Sequence, residues 1–141
     1  MDEKISVVIP CYRSEKMIVS VVEEIMSYLK GREYEIILVC DCSPDNVWGE
    51  IKGLQDKYPA VHGILFSKNF GQHAATLAGY RHVTGDIIIT MDDDGQSDPS
   101  AISRMIEKIH EGYDVVYAKF PVFEMSPFRV FGSWLNRKMA E

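Results

Sequence analysis

Apolar residues in this chain follow two rhythms that alternate from the first residues onward. Ile5 to Ile9 is a short β-branched run closed by Pro10, which predicts a strand. From Ser14 the apolar residues Ile18, Val21, Val22, Ile25, Met26 and Leu29 recur at helical spacing until Gly31 ends the segment. Tyr34 to Cys40 is a second, nearly all-apolar strand. Ser43-Pro44 predicts a helix cap with proline at the first position, leading into Val47, Trp48, Ile51 and Leu54. Val61 to Phe66 forms the third strand, Gln72 to about Val83 a short Ala-rich helix, and Ile87 to Met91 a fourth strand. Asp98-Pro99 starts a helix carrying Ile102, Met105, Ile106 and Ile109, stopped by Gly112, and Asp114 to Phe120 is a predicted fifth strand. Beyond Pro121 the pattern loosens. Phe128, Phe131, Leu135 and Met139 then predict a last amphipathic helix that runs on without a stop signal, so a domain cut short at its C-terminus is expected.

Continuous apolar strands separated by amphipathic helices require a sheet covered on both faces. The predicted fold is therefore a doubly wound α/β domain with a mostly parallel sheet, and residues 1–141 read as one unit without an internal boundary. Composition agrees: 46% hydrophobic and 26% charged residues are the usage of an ordinary globular domain long enough to build its own core. Three cysteines, an odd count, and the lack of a basic-then-apolar leader point to a reducing, cytoplasmic setting. No run approaches the ~18 apolar residues of a membrane span. A net charge of −6 without a Lys/Arg stripe gives no electrostatic basis for holding nucleic acid, so a phosphate partner needs a metal or a local backbone site.

In open parallel sheets, ligands bind outside the carboxyl ends of the strands, where the strand order reverses. That rule selects the loops Pro10 to Glu15, Cys40 to Asp45 and Met91 to Gln96. The third carries Asp92, Asp93 and Asp94 in succession, and adjacent carboxylates at the end of a buried strand repel one another unless a cation or donor groups neutralise them. Extended geometry would send Asp92 and Asp94 to one side and Asp93 to the other. The outer pair could then share a hard cation, with Gln96 adding a carbonyl oxygen. Mg²⁺ or Mn²⁺ suits such oxygen ligands and is usually held by one or two carboxylates plus substrate phosphates. A merely solvated turn ahead of a helix capped by Asp98 is the plain alternative.

Other signatures are missing. An EF-hand loop starting at Asp92 would need Gly and Glu where Ser97 and Ser103 stand. Neither G-x-G-x-x-G after the first strand nor a Walker-type G-x-x-x-x-G-K-[ST] is present. Cys40 and Cys42 alternate around Asp41 but lack the ligand number and spacing of structural zinc, and read as strand-packing thiols. Of the histidines, His62 and His82 read as surface or packing residues, while His73 at a helix start is the one that could face a ligand through that helix's free amides.

Val8-Ile9-Pro10-Cys11-Tyr12-Arg13-Ser14-Glu15 is similar to the V-I-P-x-Y-N-E-E opening of family 2 glycosyltransferases with the GT-A fold, and Glu35 to Asp45 resembles that family's E-I-x-x-V-D-D-G-S-x-D segment. Asn69-Phe70-Gly71-Gln72-His73-Ala74-Ala75, Thr84-Gly85-Asp86 and Asp92-Asp93-Asp94-Gly95-Gln96-Ser97-Asp98-Pro99 resemble the branch that transfers sugars to polyprenyl phosphates. That branch includes dolichol-phosphate mannosyltransferases, bactoprenol glucosyltransferases and undecaprenyl-phosphate formamidoarabinose transferase. Likeness to the last is carried by Gly71-Gln72-His73, His82-Val83-Thr84-Gly85-Asp86 and Glu111 to Val116. The resemblance covers nearly the whole chain. It implies a nucleotide-sugar donor whose base is held by Asp41, a nucleotide pocket lined by Pro10, Tyr12 and Glu15 and completed by Gly71, Asp92 and Asp93, and a divalent metal on the diphosphate organised by Asp92, Asp94 and Gln96. Asp94 would act catalytically through that metal, and Asp93 stands where relatives often carry alanine. Arg13, Cys40 and Cys42 replace the family's usual Asn, Asp and Gly, all on the base side. The acceptor segment and any membrane helices, at the cytoplasmic face of the membrane, are expected beyond Glu141.

The implied reaction breaks an anomeric C–O bond and builds negative charge on a departing phosphate, which a divalent ion stabilises. A lipid monophosphate acceptor, dianionic at neutral pH, would arrive already deprotonated, so inversion by a single displacement is expected without a general base. Three rivals stand beside this reading. A receiver-like regulatory module would place its carboxylate pair after the first strand, which here ends in Pro10-Cys11-Tyr12. A nucleotidyltransferase would open with a Gly-rich basic loop, which is missing. The third rival is a fragment that binds nucleotide without transferring sugar.

Overall fold

The computed structural model describes residues 3–119. Its elements are β1 (Ile5–Cys11), α1 (Ile18–Tyr28), β2 (Tyr34–Cys40), α2 (Val47–Lys57), β3 (Val61–Leu65), α3 (Gln72–Tyr80), β4 (Ile87–Thr90) and α4 (Ala101–His110). The four strands form one parallel sheet in the order β3-β2-β1-β4, with Ile5 opposite both Tyr34 and Ile87. Parallel neighbours cannot be joined by tight turns, so each connection crosses back through a helix. Among the described residues no helix is long and apolar enough to cross a membrane.

β1 lies between β2 and β4, which is why every one of its residues is buried and its sequence lacks polar alternation. Strand periodicity splits its side chains between two cores. Val7 and Ile9, with Ile36 and Leu38 of β2, pack against α1, α2 and α4 through Ile18, Val22, Ile51, Ile102 and Ile106. Val8, Ile37 and Val39 face the other way, onto Ala75 of α3. Gly79 lets α3 sit this close: a Cβ there would overlap Cγ1 of Val8.

Near the amino ends of the strands, Glu35 is almost fully buried and heavily bonded. It accepts hydrogen bonds from Ser6 Oγ at 2.6 Å, the Thr84 N–H at 2.6 Å and Lys4 Nζ at 3.1 Å. Burial pushes its carboxyl up, but those donors overcome the penalty and hold it at about 2. The cluster pins the α3–β4 connection beneath β1 and β2, the end of the sheet opposite the carboxyl-end loops.

Three expectations are corrected. Asp114–Lys119 forms no strand; it lies beside β4 and α4 with Val115 and Tyr117 exposed, because among the described residues it has neither a ladder partner nor a second layer over its alternate side chains. α2 starts at Val47, not at Pro44. Ser43 Oγ donates to Asp45 Oδ1 (2.6 Å), and Asp45 Oδ1 accepts the Val47 N–H (3.3 Å), so Asp45 and not Ser43 meets the first amide. α1 starts at Ile18 after a turn in which the Ser14 carbonyl accepts the Met17 and Ile18 N–H groups. The helix expected around Phe128, Phe131, Leu135 and Met139 lies outside the described residues.

Candidate functional site

The connections lead from β1 outward to β2 and β3 and then return to place β4 on the other side of β1, so strand order reverses between β1 and β4. At the carboxyl ends there, a cavity of about 450 Å³ opens. Pro10, Cys11 and Tyr12 form its β1 side and Asp41 its β2 side. Asn69, Gly71 and Gln72, ahead of and at the start of α3, make a third wall, and Asp92, Asp93 and Asp94 close it after β4.

Hydrogen bonds link these walls into a ring. The Tyr12 N–H donates to Asp93 Oδ2 at 2.8 Å, joining the β1 loop to the β4 loop. Gln72 Nε2 donates to Asp92 Oδ1 at 3.3 Å, joining α3 to the β4 loop. The Phe70 and Gly71 N–H groups donate to Asp41 Oδ1 and Oδ2 at 2.8 and 2.9 Å, joining the approach to α3 to the tip of β2. The circuit returns to β1 through Arg13 N–H to Ser43 Oγ (2.7 Å) and Glu15 N–H to Asp45 Oδ2 (3.0 Å), while Glu15 Oε2 accepts the Asn46 N–H at 2.8 Å. Arg13 and Cys42 both sit at positive φ, 55° and 51°, in a region that costs a side-chain-bearing residue about 1 kcal/mol. Strain is thus concentrated on the two loops that follow β1 and β2. The Arg13 guanidinium lies 5.4 Å over the Tyr12 ring.

Charge is unbalanced in the β4 loop. Asp92 is exposed as a residue, but partial burial of its carboxyl raises it above its ordinary value, repulsion from Asp94 and Asp93 raises it further, and Gln72 opposes both. On the opposite side, burial raises Asp45 but the donors Ser43, Glu15 and Val47 bring it below the ordinary range. Burial and the nearby Asp93 push the Cys11 thiol well up, and burial raises Cys40, so both stay protonated and neither is a nucleophile.

Among the described residues no three His, Cys, Asp or Glu side chains converge as a metal cluster. The donor set nevertheless fits a Mg²⁺-class ion, which needs only one or two protein carboxylates and takes its remaining oxygens from phosphates and water. Asp92 and Asp94 can supply those carboxylates. Asp94 Oδ1 also accepts the Gln96 N–H at 2.9 Å, which curls the loop back over Gly95.

Of the residues singled out from sequence, Pro10, Tyr12, Asp41, Gly71, Asp92, Asp93 and Asp94 meet in this cavity. Glu15 and Gln96 do not line it; Glu15 braces the β2–α2 loop and Gln96 is exposed. His73 is exposed and outside the wall. Asn69, Gln72 and Cys11 were not assigned from sequence. Asn69 and Gln72 belong to the loop after β3, which the carboxyl-end rule would also have selected.

The family model described as "Glycosyl transferase family 2" matches residues 6–139. Among solved structures, S. aureus TarS 1–349 is 18% identical, with a TM-score of 0.65 over 86% of this chain and 40% of that one. The same TarS fragment in complex with UDP-GlcNAc matches equally, at 18% identity and TM-score 0.65, over 86% of this chain and 38% of that one. The mannosyltransferase PcManGT from Pyrobaculum calidifontis, in complex with GDP-Man and Mn²⁺, is 18% identical, with a TM-score of 0.65 over 76% of this chain and 32% of that one. The chain thus spans about 40% or less of the length of these neighbours, and at this identity the likeness is one of fold.

Proposed function

Because the chain belongs to glycosyl transferase family 2, we propose that its cavity takes the diphosphate of a nucleotide-sugar donor and that the full protein transfers a hexosyl or pentosyl group to a polyprenyl phosphate. The observation that carries this reading is that Asp92, Asp93 and Asp94 all line the cavity at the point where strand order reverses, with Asp92 raised by partial burial and then by repulsion from Asp94 and Asp93. Two neighbours of the same fold were solved with UDP-GlcNAc and with GDP-Man and Mn²⁺, which supports a donor of that class and a divalent ion.

Asp92 and Asp94 would hold Mg²⁺ or Mn²⁺, which supplies positive charge where the leaving diphosphate gains negative charge. Tyr12, 42% exposed beside Pro10, offers its ring to the nucleoside. Asp93 keeps the Tyr12 backbone in place, and Gly71 and Gln72 line the same cavity. A phosphate monoester acceptor is dianionic near neutral pH, so attack needs no side-chain base, consistent with the protonated state of Cys11 at the cavity floor. The acceptor's lipid would be held by parts of the full protein beyond this chain, at the cytoplasmic face of a membrane. The polyprenyl acceptor rests on the motif likeness over Asn69–Ala75 and Asp92–Pro99.

The test is calorimetric titration of UDP and GDP, with and without Mn²⁺, into the protein and into Asp94→Ala. Mn²⁺-dependent binding of one nucleotide that Asp94→Ala abolishes is expected. Binding that ignores the metal, or survives intact in the variant, removes the assignment.

A further inference from the structure

We propose that the outer face of α3 is a lipid-contact surface: Phe70, Leu77 and Tyr80 lie against the headgroup region of an anionic membrane, flanked by Lys68 and Arg81, and bring the donor cavity beside it. The inference rests on the reading above in one respect, that the acceptor is carried by a lipid.

α3 turns its small residues inward and its large ones outward. Ala75, Ala78 and Gly79 face the sheet, and Val8 leaves no room at Gly79 for anything larger. Leu77 is 56% exposed, Tyr80 is 41% exposed, and Phe70, just ahead of the helix, is 54% exposed. A helix that served only the core would reverse this order, since burial stabilises large apolar side chains most. At 3.6 residues per turn His73, Leu77 and Tyr80 share the side of α3 turned away from Ala75 and Gly79, and all three are exposed.

Charge sets the same region apart. None of the chain's 21 Asp and Glu residues falls between Val61 and Gly85, whereas Lys68 and Arg81 do, and both are exposed. Among the described residues neither forms a salt bridge. Lys68 Nζ lies 5.0 Å over the Phe70 ring instead. Asp86, which follows the stretch, accepts the Lys4 N–H at 3.0 Å, and Asp92, which touches Gln72, accepts its Nε2 at 3.3 Å. An apolar face with a cation toward each end, on a chain of net charge −6, is the composition that anionic lipid surfaces bind. The apolar side chains enter the boundary of the acyl region while Lys and Arg reach the phosphates. Three half-exposed side chains fall well short of the ~800 Å² per partner of a stable protein interface, so a protein occupant fits less well.

The placement serves the site. Phe70 directly precedes Gly71, which lines the cavity together with Gln72, so the face begins where the cavity wall ends. Contact along α3 sets the cavity next to the headgroups, the level at which a lipid phosphate is presented.

The test is sedimentation of the 141-residue chain with vesicles of phosphatidylcholine, or of phosphatidylcholine with phosphatidylglycerol, beside Leu77→Glu and Arg81→Glu. Retention on the anionic vesicles at low salt, released at high salt, is expected. Each variant should bind them about tenfold more weakly, with an unchanged circular dichroism spectrum and unchanged calorimetric binding of UDP or GDP with Mn²⁺. If Leu77→Glu does not fold, Arg81→Glu, exposed just past the helix end, carries the test alone. Wild-type chain that ignores anionic vesicles, or variants retained as well as wild type, overturn the proposal, as does equal binding to neutral vesicles. A dimer in analytical ultracentrifugation that Leu77→Glu dissolves assigns the face to a second copy and overturns it too. These failures leave nucleotide binding intact, whereas vesicle binding by a chain that takes neither nucleotide overturns the donor-site reading and leaves the lipid-contact face standing.

Discussion

The Tyr12 backbone N–H donates to Asp93 Oδ2 at 2.8 Å, across the gap where β1 and β4 part. This bond spans the reversal of strand order itself, so the middle carboxylate of the acidic loop is occupied in holding the β1 tip while its neighbours face other partners. Asp93→Ala removes the acceptor and frees the Tyr12 loop. A charge-assisted bond in a partly open place contributes about 1 kcal/mol, so nucleotide affinity should fall about fivefold, whereas Asp93→Asn, which keeps an acceptor oxygen, should lose less. Calorimetric titration of the two variants side by side measures the difference, and equal losses would refute the role.

Glu35 gives the fold an acid-labile tie. Its carboxyl is held at about 2 in the folded state against 4.5 when free, so the folded state gains stability wherever the group is ionised. The contribution is full above pH 4.5 and disappears as pH falls toward 2. A displacement of that size corresponds to roughly 3 kcal/mol. Urea unfolding between pH 6 and pH 2 should show this loss in the wild type and a flatter profile in Glu35→Gln, which is less stable throughout the neutral range. Parallel profiles would mean that other carboxylates dominate acid unfolding.

Much of this architecture was legible because two-sided burial leaves a strong trace. Apart from Ser6 and Glu35 near their amino ends, β1 and β2 are apolar, and Ile18, Val22 and Ile25 keep helical spacing over one buried face. Boundaries were less legible because their determinants are distant in sequence: the Ser14 carbonyl delays α1, and Asp45, tied to Glu15, fixes the start of α2. The expected fifth strand misled because alternation marks what a strand could bury and not what is there to pair with it. At the site, consecutive aspartates announce themselves by the cost of their charges. Asn69 and Gln72 are neutral amides without such a signal, and they reach the cavity from the turn before α3, which hydrogen-bonds to Asp41 at a distance of about 30 residues in sequence. Nothing in residue type betrays the left-handed backbone at Arg13 and Cys42.

Gly79→Ala tests how closely α3 lies on the sheet. The new Cβ would overlap Cγ1 of Val8, a fully buried side chain of the central strand with little room to turn. Overpacking of this kind costs about 1 to 3 kcal/mol and outweighs the better helix propensity of alanine. A thermal melt should show a lower Tm. An unchanged or higher Tm would mean that α3 can move off β1 without loss.

Asp92→Asn should separate stability from ligand binding. In the ligand-free chain Asp92 is disfavoured as an anion by partial burial and by Asp94 and Asp93, so removing its charge relieves repulsion, while the amide oxygen can still accept from Gln72. The denaturation midpoint should therefore hold or rise at neutral pH. Mn²⁺-dependent nucleotide binding should move the other way, by about tenfold or more, because an amide is a weaker ligand than a carboxylate for a hard divalent ion. Urea titration and calorimetry on one preparation supply both readings. A variant that loses stability and keeps its metal-dependent binding would place Asp92 among the structural carboxylates and leave the ion to Asp94 alone.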